Sequence, residues 1–381
     1  MEIPLSYELL RVIWWALLGV LLIGFAITDG FDLGVAGLLP FVARTDAERR
    51  LAINTVGPTW EGNQVWLILG GGAIFAAWPL VYAVSFSSFY LAMFVVLASL
   101  ILRPVAFKYR SKREDPRWRS FWDWALFTGG FVPALIFGVA VGNVLVGAPF
   151  RMNDDMRIFW DGSFFGLLNP FSLLCGLLSV TMLLLHGAAW LSMKTEYGIV
   201  RDRARAYAPL FAFASIVLFA LAGAWVAFGD IGYQVTNTVA ADGPSNPRLT
   251  ETVREGGAWL SNYGRYPWML IAPVLGFGGA ALALFGLRSN SEALTFVGSK
   301  LSVVGIISTV GVSMFPFILP SSVDPNASLT VWNASSSHTT LFVMLIVTAV
   351  LLPIVLLYTA WAFKVMWGRV TTEAVANGDY Y

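Results

Sequence analysis

The chain has 381 residues, 57% of them hydrophobic and only 12% charged, with a formal net charge of +1. That charged share is about half of what a soluble domain carries, which excludes a water-soluble globule. The near-neutral balance, with no block of like charge, excludes a nucleic-acid partner. Aromatic residues reach 15%, with 16 Trp, a density that suggests interfacial belts. Cys175 stands alone in an apolar run, so neither an intrachain disulfide nor a cysteine metal cluster is available.

A hydrocarbon core of roughly 30 Å needs about 20 predominantly apolar residues. Nine runs meet that need, near 12–38, 58–77, 80–105, 121–147, 164–192, 205–228, 267–287, 293–318 and 338–367. The fold class is therefore an all-α integral membrane protein, a single polytopic domain over residues 1–381. The first run is too long for a removable signal peptide, has no small-residue cleavage site after it, and reads as an anchor. Only Trp78-Pro79 separates the second run from the third, and the proline predicts a tight reversal there. Residues 229–266 form a polar stretch with a cluster of turn formers at Asp242 to Pro247, and residues 320–337 a second loop, both read as surface loops packed on the bundle or on a partner. Sliding the first span onto the fifth aligns Asp29-Gly30 with His186-Gly187. This faint repeat, 1–150 and 160–320 followed by a final helix at 338–367, gives two four-helix bundles plus one peripheral helix.

Basic residues set the orientation. The loops after spans one, three, five and seven carry thirteen Lys and Arg, against five after spans two, four, six and eight. The first set belongs in the cytoplasm, so the N-terminus is placed outside and the C-terminus inside.

Three carboxylates stand out. Asp29 and Asp32 lie three apart in T-D-G-F-D-L-G, on one face of a continuing helix, and Glu61 opens the next span in W-E-G-N-Q-V-W at the same end. Acids at membrane depth cost roughly 2.5–3.5 kcal/mol each, and burial with mutual repulsion would favour proton exchange. The competing reading is that Asp29 and Asp32 cap or end a helix, with Gly30 and Gly34 easing the turn. Arg103 is placed to pair with one of them. The two histidines, His186 and His338, fall near opposite ends of their spans, a membrane thickness apart, and could not together hold a haem. Most glycines, including Gly70-Gly71-Gly72 and Gly276-Phe277-Gly278-Gly279, read as close helix contacts. No P-loop, dinucleotide fingerprint or nucleophile elbow occurs, and the chain has no catalytic equipment of its own.

These residues resemble a known family. T-D-G-F-D-L-G at Thr28 to Gly34, G-P-T-W-E-G-N-Q-V-W at Gly57 to Trp66, A-S-L-I-L-R-P-V-A-F-K-Y-R at Ala98 to Arg110 and N-P-F at Asn169 to Phe171 resemble subunit II of the cytochrome bd quinol oxidases. So do G-A-W-L at Gly257, M-F-P-F-I-L-P-S-S at Met314, N-A-S-L-T at Asn326 and L-L-Y-T-A-W at Leu356, and the series covers nearly the whole chain in order. The resemblance implies an oxidase in a bacterial inner membrane that passes electrons from quinol to O2, with protons drawn from the cytoplasm. Two b-type haems and one d-type haem would sit in the partner subunit I, with none ligated here. Small single-helix accessory subunits, lipid and a structural quinone are further implied partners.

Residue by residue, the resemblance makes Glu61 a candidate proton carrier toward the partner, with Asp29, Asp32, Lys112 and Tyr381 as further candidates for a proton path. Trp66 takes the place of a tryptophan associated with O2 access, and Trp60, Asn63 and Arg103 are candidates for quinone contact. Lys108 stands in F-K-Y-R where the family often has an acid, which puts proton uptake through that position in doubt. A secondary transporter is the rival reading, favoured by intramembrane acids and a repeat, although the acids gather at one end of the span instead of at its midplane.

Overall fold

In the computed structural model, residues 3–376 are described. The chain forms thirteen helices among these residues. α1 (Tyr7–Val42), α2 (Asp46–Asn54), α3 (Trp60–Ala77), α4 (Pro79–Ser88), α5 (Tyr90–Tyr109) and α6 (Pro116–Val146) make the first half. α7 (Pro170–Lys194), α8 (Ile199–Phe228), α9 (Ser261–Arg265), α10 (Ile271–Arg288) and α11 (Glu292–Met314) follow, then α12 (His338–Val365) and α13 (Thr372–Ala376). Three short antiparallel hairpins lie in the loops: β1 (Phe150–Met152) with β2 (Ile158–Trp160), β3 (Tyr233–Val235) with β4 (Thr252–Arg254), and β5 (Phe317–Leu319) with β6 (Leu329–Thr330).

Eight of the described helices are long and apolar enough to cross a bilayer: α1, α5, α6, α7, α8, α10, α11 and α12. α3 is the ninth of the expected spans. Its 18 residues reach about 27 Å, with Glu61, Asn63 and Gln64 gathered in its first five positions. The expected third span is corrected. Residues 80–105 are not one helix, because α4 ends at Ser88 and a break at Phe89 (φ −97°, ψ 20°) precedes α5. Three serines in the last turn of α4, Ser85, Ser87 and Ser88, offer side-chain competition for its backbone. The turn at Trp78-Pro79 therefore leads into a ten-residue helix and not directly into the next crossing.

Helix starts follow local chemistry. Ser6, Asn169, Ser291 and Ser337 cap α1, α7, α11 and α12, each hydroxyl or amide oxygen accepting from the backbone N–H three residues on. Asn169-Pro170 combines a cap with a proline whose missing N–H costs nothing at that position. Thr45 and Glu48 form a reciprocal capping box on α2.

The helices group as two bundles, α1, α3, α5 and α6 against α7, α8, α10 and α11, with α12 on the periphery. α7 is the innermost crossing and α12 the most exposed, with 72% and 6% of their central windows buried. The bundles meet where glycine permits close approach. A Cβ on Gly34 would overlap the Leu183 carbonyl oxygen, and one on Gly187 would overlap the backbone of Gly34, so α1 and α7 cross at nearly backbone contact. Gly130 and Gly138 seat α6 against α1 and α7 in the same way, Gly279 and Gly305 seat α10 against α11, and Gly276 faces the Phe219 ring of α8. Gly71, Gly72 and Gly278 touch nothing with an added Cβ, so the packing expectation fails at those three.

On the face where α1 begins, Arg11 is fully buried and acts as a clamp. Its guanidinium donates to Ser335 Oγ and to the carbonyls of Ala241 and Gly243, and lies 3.5 Å from the centre of the Tyr7 ring. Trp259, in the G-A-W-L stretch, donates from Nε1 to the Leu145 carbonyl at 3.1 Å. The two long loops are thereby packed on the bundle. On the opposite face, Lys194 donates to the Met366 carbonyl and Arg369 pairs with Glu292, fastening the end of α12.

The α1–α7 crossing yields a stability prediction. Gly34→Ala and Gly187→Ala each force overpacking against backbone, expected to cost about 1–3 kcal/mol. Gly71→Ala adds a methyl group into open space and is expected to leave the melting temperature unchanged or raised. Thermal denaturation of the detergent-solubilised protein compares the three; equal melting temperatures would refute a tight crossing.

Candidate functional site

The site begins with α1, which runs past both aspartates for a further ten residues to Val42. The helix-cap reading of Asp29 and Asp32 is thereby corrected: both lie inside a continuous helix, fully or almost fully buried. Leu33, Val35, Leu38 and Leu39, all buried, carry the helix onward, and Gly30 and Gly34 serve packing against α7 in place of a turn.

Arg103 of α5 meets Asp29 in a two-pronged pair, Nη1 to Oδ2 at 2.9 Å and Nη2 to Oδ1 at 2.6 Å, with both side chains buried. This fork-to-fork geometry is the strongest arrangement available to an arginine and a carboxylate. Gly129 of α6 makes room for it, since a Cβ there would lie 2.7 Å from Arg103 Cγ. One turn along α1, Asp32 Oδ2 accepts from Asn63 Nδ2 of α3 at 2.8 Å. The Trp60 ring stacks on Phe107 at 5.4 Å, and the Arg103 guanidinium lies 6.0 Å from the Trp60 ring.

Three polar atoms in this cluster lack a partner among the described residues: Asp32 Oδ1, Arg103 Nε and Trp60 Nε1. Buried polar groups are normally satisfied, so such a concentration marks a place for water or a polar ligand. The nearby void of ≈ 10 Å³ beside Phe107 and Val56 is lined only by apolar side chains and by none of these three residues, so it offers a water no partner.

The structure thus gathers Asp29, Asp32, Trp60, Asn63 and Arg103. It does not bring Glu61 to them. Glu61 is exposed, and it heads an outward stripe of α3 through Val65, Ile68 and Phe75, while Trp60, Asn63 and Trp66 face inward. Lys112 is exposed on the single 3₁₀ turn that follows α5, and Lys108 is exposed on the last turn of α5. Trp66 is buried, its ring pressed against Gly24 of α1. Tyr381 lies outside the described residues.

A second network escaped the sequence reading. Asp123 of α6 accepts from Arg49 Nη1 at 2.7 Å and from Arg110 Nε at 2.5 Å, and Asp46 accepts from Arg110 at 2.7 Å and Arg119 at 2.6 Å. Arg203 of α8 reaches Glu48 at 2.7 Å, which ties the second bundle to α2. The arginines entered the sequence argument only as topology charges, and the one available signal was the lone Asp123 in an otherwise apolar run. Burial opposes ionisation of Glu48, but the Arg44 and Thr45 N–H groups and the Arg203 guanidinium overcome it and hold the carboxyl below its ordinary value.

The residues present do not fit a haem. His186 is enclosed between Phe31 and Phe296, with Nδ1 2.9 Å from Ser299 Oγ and Nε2 3.1 Å from the Ile27 carbonyl, so both nitrogens are engaged. His338 contacts the Leu5 carbonyl, beside the opposite end of α1. The two carbonyls are separated by about 30 Å along the helix.

Two predictions come from these contacts. Asp29→Leu removes the two-pronged partner of Arg103 and leaves Asp32 as its only nearby counter-charge, and is expected to destabilise the protein by up to about 3–5 kcal/mol, whereas Asp29→Leu with Arg103→Met recovers most of the loss. Folded yield and melting temperature of the single and double variants test this, and an equally damaged double variant would count against the pair. For Glu48, the depressed folded value means that its stabilisation is present above the ordinary carboxyl value of 4.5 and is lost as pH falls through the lower, folded value. Glu48→Gln keeps the capping-box oxygen but loses the charge facing Arg203, and is therefore expected to melt lower than the parent at pH 7, by about 0.2–1 kcal/mol, with the gap closing in acid.

The family model for "Cytochrome bd terminal oxidase subunit II" matches residues 10–366. The chain is 53% identical over 376 residues to "Cytochrome bd-I ubiquinol oxidase subunit 2" of Escherichia coli (strain K12), covering 99% of each chain. It is 32% identical over 365 residues to "Cytochrome bd ubiquinol oxidase subunit 2" of Bacillus subtilis (strain 168), covering 95% of this chain and 97% of that one. Among solved structures, a chain of the bd oxidase from Geobacillus thermodenitrificans superposes with a TM-score of 0.68 at 16% identity, covering 94% of this chain and 98% of the other, which supports the fold.

Proposed function

The chain belongs to the cytochrome bd terminal oxidase subunit II family, and from that premise we propose that it is the haem-free second subunit of a quinol oxidase that reduces O2 to water. Its work is to hold the haem-bearing subunit I and to feed protons toward it. The observation that carries this reading is the split character of α3. Its inner face supplies Trp60 and Asn63 to a closed charge cluster, and its outer face carries one carboxylate, Glu61, at the head of an exposed apolar stripe.

α5 carries a second exposed apolar row, Tyr90, Phe94, Leu97 and Ile101 at helical spacing. An apolar face of this kind suits a partner subunit in the membrane, and Glu61 would then be the carboxylate presented to it. The thirteen-to-five asymmetry of basic residues supports placing the face where α1 ends in the cytoplasm, with the N-terminus outside. Protons would be taken up near Glu61 and Lys112 on that face. Tyr381, outside the described residues, belongs to the same proposal through the resemblance alone.

Asp29, Asp32 and Arg103 hold two carboxyl groups and one guanidinium, so the cluster is electrically balanced when one carboxyl carries a proton. We read it as a proton-holding reserve behind Glu61, bridged by water at the unsatisfied atoms of Asp32, Arg103 and Trp60. A quinone held by Trp60, Asn63 and Arg103 is the weaker reading. Donor chemistry would suit a quinone carbonyl, but Asn63 and Arg103 are committed to the two aspartates. Trp66 remains the candidate for O2 access, and its close packing on Gly24 makes any such route depend on side-chain motion. The exposed length of α12 suits lipid or a single-helix accessory subunit. The two bundles are best read as a repeat in which α1 and α7 are equivalent first helices.

Glu61→Gln tests the central claim, because it keeps size and hydrogen bonding while removing the titratable proton. It is expected to preserve assembly and haem content of the complex and to slow quinol-dependent O2 consumption by about tenfold, less than the roughly 10²–10⁴ of an obligate general acid because water can bypass an exposed relay. Glu61→Asp should retain most activity. Turnover per haem across a pH series decides the matter, and an unchanged Gln variant would leave Glu61 a helix-start residue.

A further inference from the structure

The loops on the face where α1 begins enclose a cavity of ≈ 490 Å³ that the oxidase reading does not use. Its volume lies within the range of about 300–1,000 Å³ typical of small-ligand sites. The floor is aromatic and held in place. Trp259 and Phe317 are buried with ring centres 5.4 Å apart, and Phe315 meets Trp332 at 5.8 Å. Asn262 at the side donates to the carbonyls of Val312 and Phe315, which fixes the backbone that carries the floor. A cavity braced in this manner cannot close by side-chain collapse.

The electrostatics are one-sided. No carboxylate lines the cavity, and its one charged lining residue is Arg265, exposed at the end of α9. Among the described residues the Arg265 side chain has neither an ion pair nor a hydrogen bond. Three other arginines on this face are matched, Arg151 with Asp161, Arg248 with Asp154, and Arg254 with Asp230, whereas Arg157, like Arg265, has no side-chain partner among the described residues but lies outside the cavity lining. Immediately after Arg265 the chain exposes Tyr266, Trp268 and Ile271 as it turns into α10, so the unmatched guanidinium stands between a cavity and an aromatic membrane boundary.

We propose that this cavity binds a phosphate-bearing amphiphile, with Arg265 pairing to the phosphate and the aromatic floor receiving the less polar part of the molecule. Arginine suits the role because its fork matches two phosphate oxygens at once. A lipid headgroup from the adjoining leaflet and a soluble phosphate ester share this chemistry, and the exposed Trp268 and Ile271 beside the arginine favour the lipid.

The complete oxidase complex carrying Gln234→Cys at the exposed cavity wall, labelled with an environment-sensitive bimane, provides the assay. Cys175 is buried, and labelled complex without the new cysteine serves as the blank. Dihexanoyl phosphatidylglycerol below its micelle concentration is expected to give a saturable fluorescence change, at least tenfold weaker in apparent affinity after Arg265→Gln and largely retained after Arg265→Lys. Glycerol 3-phosphate giving the same arginine-dependent saturation would support the site and assign its ligand to the soluble source. Haem content at the parent level verifies that the variants assemble. The proposal is overturned if neither phosphate compound saturates, if dihexanoyl glycerol without phosphate binds as well, if Arg265→Gln changes nothing, or if the new cysteine is blocked because another chain fills the cavity.

Discussion

The ion pair between Asp29 and Arg103 is the constraint around which the first bundle is organised. A charge at bilayer depth is expensive on every scale, from about 2.5–3.5 kcal/mol upward, so neither partner is tolerable without the other. Each helix of the bundle contributes to making the pair possible. α1 supplies Asp29 and Asp32, α5 supplies Arg103, α3 brings Asn63 to the second carboxylate, and α6 withdraws to a glycine at position 129 where any side chain would strike the arginine stem. Four helices are thereby fixed in rotation about their axes, which apolar packing alone would define less sharply.

The second bundle reaches its geometry by other means. Its helices approach through glycine, at Gly187, Gly276, Gly279 and Gly305, and its central polar group is the histidine His186, buried among aromatic rings and held by a serine and a carbonyl. One half of the molecule is therefore oriented by charge and the other by close contact. The exposed apolar rows on α3 and α5 belong to the charged half.

Much of this was legible in the sequence, and the physical reasons for the remainder are specific. Of the nine expected crossings, eight correspond to helices long and apolar enough to cross, because lipid forces every backbone group into a helix, whereas the fifth, expected from residue 164, starts only at Pro170 behind its Asn169 cap. The split between α4 and α5 was not legible, since a single break at Phe89 leaves the apolar run intact. The continuation of α1 beyond Asp32 was missed because glycines and aspartates in sequence look like a terminus, and only the partners Arg103 and Leu183 reveal their use as pairing and packing residues. Arg103 was recognised as a candidate partner, but sequence could not say which aspartate it would choose. Asp123 with Arg49 and Arg110 was invisible for a related reason: arginines read as topology signals carry no information about whom they bond. Glu61 was placed correctly as the first acid of α3, whereas its outward direction depends on the rotation that Asn63 and Trp60 impose.

The separation of Asp29 from its counter-ion along the chain, 74 residues, has a consequence for biogenesis. At a synthesis rate of about 5–20 residues per second, Asp29 is added to the chain roughly 4–15 s before Arg103. During that interval a helix with two uncompensated carboxyls must either remain beside the translocon or sit in lipid at a loss. The chain's own order therefore imposes a waiting step on membrane insertion, ended by the arrival of α5.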